Sequence, residues 1–234
     1  IESKLKQEQE ALEYEFKLDK AAQEAERQRV EAEGKAKANS IVNASITDKI
    51  LRDKGIEATL KLAESPNSKV VIIGGKGTAV VIAEQIYDAH ERFGMDIEVL
   101  GFAFDDPAYK DGINGWPVLC GTREAYDMFK HDESVKFVFA LYRSDILKER
   151  IALRDSLNIP INRFLSFRHP SAYVAKSAQL GQANIILANC AINNNVVMGN
   201  YNTMQTGSLI GHDTHIGNNN FIAAHTCIGS NLKI

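Results

Sequence analysis

The sequence predicts an α/β domain joined to a left-handed parallel β-helix (a β-solenoid), with a long helical arm ahead of both. Three observations predict it: a proline-free, charge-dense opening stretch, an apolar run that breaks on a glycine turn into a helical pattern, and a large aliphatic residue at every sixth position near the end of the chain. The expected boundaries are 1–68 for the arm, 69–165 for the α/β domain and 166–234 for the β-helix.

The arm comes first. From Ile1 to about Ala63 there is no proline, and Glu, Lys, Arg, Gln and Ala dominate the first half. These are good helix formers that pair at i,i+4. Leu5, Leu12, Phe16 and Val30 are too sparse for a sustained coiled-coil seam, so this half reads as a solvated helix. From Ile41 to Leu62 the pattern turns amphipathic through Ile46, Ile50, Leu51 and Leu60, with a helical break expected at Gly55.

Val70-Val71-Ile72-Ile73 is an apolar run that ends in Gly74-Gly75-Lys76-Gly77 and continues into the helical pattern Val81 to Ile86. That is strand, tight turn and helix. Further strands are expected at Ile97 to Phe104 and Phe137 to Leu141, and helices near Arg123 to Lys130 and Asp145 to Leu157. Such alternation predicts a small parallel sheet covered by helices, a Rossmann-like unit.

Counting in sixes gives Val174, Leu180, Ile186, Ile192, Met198, Met204, Ile210, Ile216, Ile222, Ile228 and Ile234. The next residue is often small (Ala175, Gly181, Gly199, Gly211, Gly217), which suits a turn between short strands, and the residue four on is small enough for a narrow prism (Ala178, Asn184, Cys190, Asn202, Ser208, Thr214). Both features match hexapeptide β-helices, in which three hexapeptides make one triangular coil. The chain opens at Ile1 and stops at Ile234 inside a repeat. It therefore reads as a fragment, with further coils expected.

Composition narrows the function. With 44% apolar and 24% charged residues among 234, the chain has material for one or two packed domains. A net charge of -3 supplies no global basic field for nucleic acid. Cys120, Cys190 and Cys227 are odd in number and lack metal-like spacing, so reduced thiols in a cytoplasmic setting are expected. His212, Asp213 and His215 have no accompanying ligand pattern, and no metal is expected. No apolar run approaches the ~20 residues of a bilayer span, and no signal-peptide core is present at the start.

Two resemblances follow. Ala32 to Ser40 (AEGKAKANS), Lys54 to Thr59 and Ser65 to Ser68 resemble the C-terminal part of prohibitin and stomatin-like (SPFH) proteins, over roughly the first 70 residues. That likeness implies oligomeric assembly and peripheral membrane association. Residues 69–234 resemble the sialic-acid O-acetyltransferase and bacillosamine N-acetyltransferase family of hexapeptide-repeat sugar acetyltransferases. The likeness rests on Gly101 to Pro107, Ile113 to Val118, Phe167 to Ala172 (FRHPSA), the hexapeptides and Gly207 to Asp213.

This second resemblance implies a homotrimer that takes acetyl-CoA as cosubstrate and acetylates a hydroxyl or amine of a sugar or nucleotide-linked sugar for surface glycans. It makes His212 the general base, chemistry that suits imidazole because its pKa lies near the working pH, with Asp213 orienting it. Gly74, Gly75, Gly77 and Thr78, with Asp105 and Asp106, would hold the sugar nucleotide, and Gln205, Phe221 and His225 would line the CoA. Plainer readings stand beside these. The glycines form an ordinary strand-to-helix turn, Asp105 and Asp106 are solvated loop carboxylates, His212 occupies a hydrated turn, His215 and His225 face solvent, and His169 serves the domain joint. Lys76-Gly77-Thr78 replaces the family's Gly-Gly-His-Gly-like loop, Gln205 stands where Asn is frequent, and Phe221 where some members carry a second histidine. The alternative function is a non-catalytic oligomeric scaffold.

Overall fold

Glu24, Glu26, Glu31 and Glu33 stand three or four residues from Arg27, Arg29 and Lys35, and in the computed structural model residues 23–37 form a helix, α1. The structure describes residues 20, 23–37 and 68–234. These belong to two units, within 1–56 and within 57–234, each taken separately. On α1 the predicted pairing is present: Arg27–Glu24 at 2.8 Å, Arg29–Glu26 at 2.7 Å, Arg29–Glu33 at 2.6 Å and Lys35–Glu31 at 2.7 Å. The described residues of α1 are all exposed, so this is a polar helix supported by i,i+3 and i,i+4 pairs. The rest of the expected arm, its break at Gly55 and most of the prohibitin-like stretches lie outside the described residues.

The second unit begins with β1 (Ser68–Ile73), α2 (Thr78–Phe93), β2 (Ile97–Ala103), β3 (Val118–Cys120), α3 (Ala125–Phe129), β4 (Val135–Phe139) and α4 (Leu147–Ser156). The sheet order is β3-β2-β1-β4, with every pairing parallel. β1 is central and covered on both faces, which is why Val70, Val71, Ile72 and Ile73 are a continuous apolar run with no exposure. α2 buries Ala79, Ile82, Ala83, Ile86 and Ala89, one stripe at helical spacing. It packs them with Val70, Ile72 and Phe102. Gly94, at φ 64°, ends the helix in the left-handed cap that its missing Cβ permits.

Next come eleven two-residue strands, from Phe167–Arg168 to Cys227–Ile228, one per hexapeptide. They stack in parallel in three columns, so that Val197–Met198 lies between Gln179–Leu180 and His215–Ile216, one coil away on either side. Repeated short parallel strands of this kind fit a left-handed β-helix. The aliphatic phase points inward: Ile186, Ile192, Met198, Met204, Ile210, Ile216 and Ile222 form one buried cluster. Leu180 and Ile234 remain exposed.

Two local causes differ from the sequence expectation. Turn conformation sits three residues after each aliphatic from Leu180 to Ile228, where Ala183, Asn189, Asn195, Tyr201, Gly207, Asp213, Asn219, His225 and Asn231 all take positive φ. The small residue directly after the aliphatic answers to a different demand. A Cβ on Gly181 would come 2.3 Å from Asn200 Oδ1, and one on Gly199 would come 2.4 Å from Asn218 Oδ1. The neighbouring coil leaves no room there.

The sheet unit grips the coils along one face. Gln85 of α2 accepts from the Ala188 N–H at 2.7 Å and donates to Thr206 Oγ1 at 2.7 Å. Buried His169 accepts the Ser171 N–H at Nδ1, 3.2 Å, so its proton sits on Nε2 and is donated to Asp88 at 3.1 Å. This places His169 in the joint. Tyr142 meets Thr203 Oγ1 at 2.6 Å, and Arg154 bonds Asn219. These contacts reach the column of Ile185–Ile186, Thr203–Met204 and Phe221–Ile222 and the two corners that flank it.

Candidate active site

His212 and Asp213 lie on the third corner, which joins the other two columns. Ile210, Thr214 and Ile216 are buried in the prism, and His212 and Asp213 between them turn outward. Asp213 carries the left-handed conformation of that turn, φ 56°. Its backbone N–H is held by Asn194 O at 3.0 Å, while His212 O accepts the Asn231 N–H at 3.0 Å. The coils below and above therefore clamp the peptide that carries the pair.

A carboxylate only accepts, so His212 Nδ1–H donates to Asp213 Oδ2, at 2.6 Å. Nε2 is left with its lone pair free, and about half of each side chain is open, 49% for His212 and 42% for Asp213. The second oxygen of Asp213 accepts from Asn195 Nδ2 at 2.9 Å. That bond first, and then His212, hold the Asp213 carboxyl below its usual range. An imidazole with a fixed tautomer and an outward nitrogen is what proton removal from an attacking hydroxyl or amine needs.

The glycine turn is a separate group at the ends of β1 and β2. Gly74 (φ 129°) and Gly77 (φ 51°) use conformations open to glycine, and a Cβ on Gly75 would come 2.3 Å from the Phe104 ring. No side chain caps the start of α2 at Thr78. Lys76 Nζ crosses to Asp106 Oδ2 at 2.7 Å and stands 5.0 Å from the centre of the Tyr109 ring. Asp106 also accepts the Ala108 N–H at 3.0 Å, and Lys76 chiefly holds its carboxyl low. Asp105 accepts the Thr122 N–H at 3.0 Å. Both carboxylates thus already serve the loops around them.

Gln205, Phe221 and His225 lie away from His212 within the chain. Gln205 is buried beside Thr206, and its Nε2 has no hydrogen-bond partner. Phe221 is half-exposed and stacks at a tilt on Tyr142, ring centres 5.1 Å apart. His225 is an exposed corner residue at φ 56°. His215 is exposed as well.

The fold is shared with a solved sugar N-acetyltransferase. A histidine-to-asparagine variant of perosamine N-acetyltransferase from Caulobacter crescentus, in complex with CoA and GDP-perosamine, matches with a TM-score of 0.56 at 23% identity, over 70% of this chain and 73% of that one. WeeI from Acinetobacter baumannii AYE matches with a TM-score of 0.54 at 16% identity, again over 70% of this chain and 73% of its own. A histidine-to-alanine variant of GDP-perosamine N-acetyl transferase from Caulobacter crescentus, also with CoA and GDP-perosamine, matches with a TM-score of 0.50 at 22% identity, over 71% and 88%. The chain matches no protein-family model and no curated relative. These likenesses concern the fold.

Sequence reading singled out His212 and Asp213 but not Asn195. The available signal was coil length: Asn195 lies 18 residues before Asp213 on the same corner. Lys76 was read only as a departure in the glycine loop, and its bond to Asp106 spans 30 residues. Among the described residues no group of three His, Cys, Asp or Glu is placed to hold a metal ion, and no helix is long and apolar enough to cross a membrane.

Proposed function

We propose that this chain is an acetyl-CoA-dependent acetyltransferase acting on a hydroxyl or amino group of a sugar or nucleotide-linked sugar. The observation that carries the reading is the His212–Asp213 pair, with Nδ1 engaged and Nε2 free on an outer corner of the solenoid. Nε2 takes the proton of the acceptor as its oxygen or nitrogen attacks the thioester carbonyl. The C–S bond then breaks, and the CoA thiolate leaves and takes up a proton. Asp213 stabilises the imidazolium formed in between. Fold likeness to a transferase that binds CoA and GDP-perosamine supports acetyl-CoA and a nucleotide sugar as the substrates.

The sheet unit, read as Rossmann-like, holds the nucleotide at the uncapped start of α2, where free N–H groups suit phosphate. The placement of the parts supports a homotrimer. The corner of His212 is the one that the hydrogen bonds of its own sheet unit do not reach, so base and acceptor meet across two chains. The protein works in the cytoplasm, and its helical arm assembles it or brings it to a membrane surface.

The test is CoA thiol release with sugar and nucleotide-sugar acceptors. His212→Ala lowers turnover by roughly 10²- to 10⁴-fold without changing the melting curve. Asp213→Asn costs less, and His225→Ala is close to neutral. Wild-type turnover in His212→Ala, or its loss in His225→Ala, overturns the assignment. Large assemblies without any acceptor-dependent thiol release would favour a scaffold instead.

A further inference from the structure

We propose that Asn195 is a positioning residue for the acyl transfer: its amide holds the Asp213 carboxylate so that the carboxylate fixes the His212 ring with Nε2 outward. The inference rests on the reading of His212 as the base.

Asn195 and Asp213 occupy the same corner one coil apart, and both take the left-handed turn, φ 59° and 56°. Asn195 Nδ2 donates to Oδ1 at 2.9 Å while Oδ2 takes the Nδ1–H of His212 at 2.6 Å. The carboxylate is therefore held at both oxygens. Without Asn195 it would be a half-exposed side chain tied only to its own sequence neighbour, a pair with little to restrict its rotamers. Asn195 is itself anchored, because its backbone N–H donates to Ser177 Oγ at 3.0 Å. Asn231, two coils away on the same corner, and Asn219, on another corner, take the left-handed turn as Asn195 does, so asparagine suits this turn conformation on its own account. What sets Asn195 apart is a side-chain donor aimed at a carboxylate that holds a histidine.

Two variants separate the turn from the amide. Asn195→Gly keeps the left-handed turn and removes the donor, whereas Asn195→Asp keeps size and turn tolerance but sets a second carboxylate against Asp213. Ring ¹⁵N chemical shifts of His212 in the whole chain report the tautomer directly. In the wild type Nδ1 is protonated and Nε2 is pyridine-like. Both variants are expected to move these shifts toward a mixture of tautomers, with melting unchanged. In the same variants kcat falls about tenfold and the KM for acetyl-CoA is unchanged. Shifts identical to wild type in both variants overturn the role of Asn195. If the shifts move as expected but no acceptor supports thiol release even in the wild type, the acetyltransferase reading fails and the hold of Asn195 on the pair stands.

Discussion

Arg154 lays its guanidinium carbon 3.7 Å from the centre of the Tyr201 ring and so ties α4 to a corner of the solenoid. The same side chain donates to Asn219 one coil further on and to Asp155 beside it. It is nearly buried by this joint, at 9% exposure.

Arg154→Ala is therefore expected to destabilise the protein by roughly 2–4 kcal/mol, since stacking, a charge-assisted hydrogen bond and buried stem are lost together. Arg154→Lys recovers only part of this, because an ammonium does not stack and fork at once. Urea unfolding followed by circular dichroism measures both. A loss below about 0.5 kcal/mol for alanine would show that the joint is held elsewhere.

Inside the prism Asn184, Asn202 and Asn220 form a ladder. Asn202 Nδ2 donates to Asn184 Oδ1 at 3.1 Å and to Gly217 O at 3.0 Å, and its Oδ1 accepts from Asn220 Nδ2 at 3.0 Å and the Asn220 N–H at 2.9 Å. Asn202→Leu has a similar volume but strands those partners, so a loss of about 3 kcal/mol is expected. Equal stability of the leucine variant in denaturant would mean that the ladder contributes no net stabilisation.

Ile210 and Ile216 are inward rungs, at 0% and 4% exposure. Either one changed to Asp forces an unpaired carboxylate into the prism at a cost of several kcal/mol, and the coils should not fold. The check is the melting transition, and unchanged melting in both variants would contradict the inward phase.

Burial, followed by Glu124 and Asp105, pushes the Cys120 thiol up to about 12. Cys190 is buried and its thiol is also raised by burial, whereas Cys227 is exposed. At pH 8 iodoacetamide should modify Cys227 first, and Cys120 and Cys190 only on unfolding. The unfolded thiol ionises near pH 8.5, below the folded value for Cys120. Its contribution to stability is thus intact below about pH 8 and declines as the pH rises above the unfolded value toward 12. The urea midpoint of Cys120→Ala should fall less between pH 7 and 10 than that of wild type. Parallel curves would contradict the raised thiol.

Much of this architecture was legible in the residues themselves. The apolar run Val70 to Ile73 is β1, the stripe through Ile82 and Ile86 is the buried side of α2, and the six-residue phase from Ile186 to Ile222 is the solenoid core. The strand expected at Phe137 begins earlier, at Val135, because Val135 pairs with Lys69 at the edge of β1. Asparagine marks four of the positive-φ corners, but Ala183 and Tyr201 take the same conformation without any local signal.

The sequence by itself determined most of the elements, though not the short strand β3, together with the six-residue phase and the candidacy of His212 and Asp213, because strand and helix periods and the hexapeptide repeat are properties of neighbouring residues. The order β3-β2-β1-β4, the bond from Arg154 to Asn219 across 65 residues, the latch of Lys76 on Asp106 and the hold of Asn195 on Asp213 were decided only by the tertiary structure. Each depends on which surfaces meet once the chain has closed on itself. Partners distant in sequence carry no mark of one another until packing brings them within the length of a hydrogen bond.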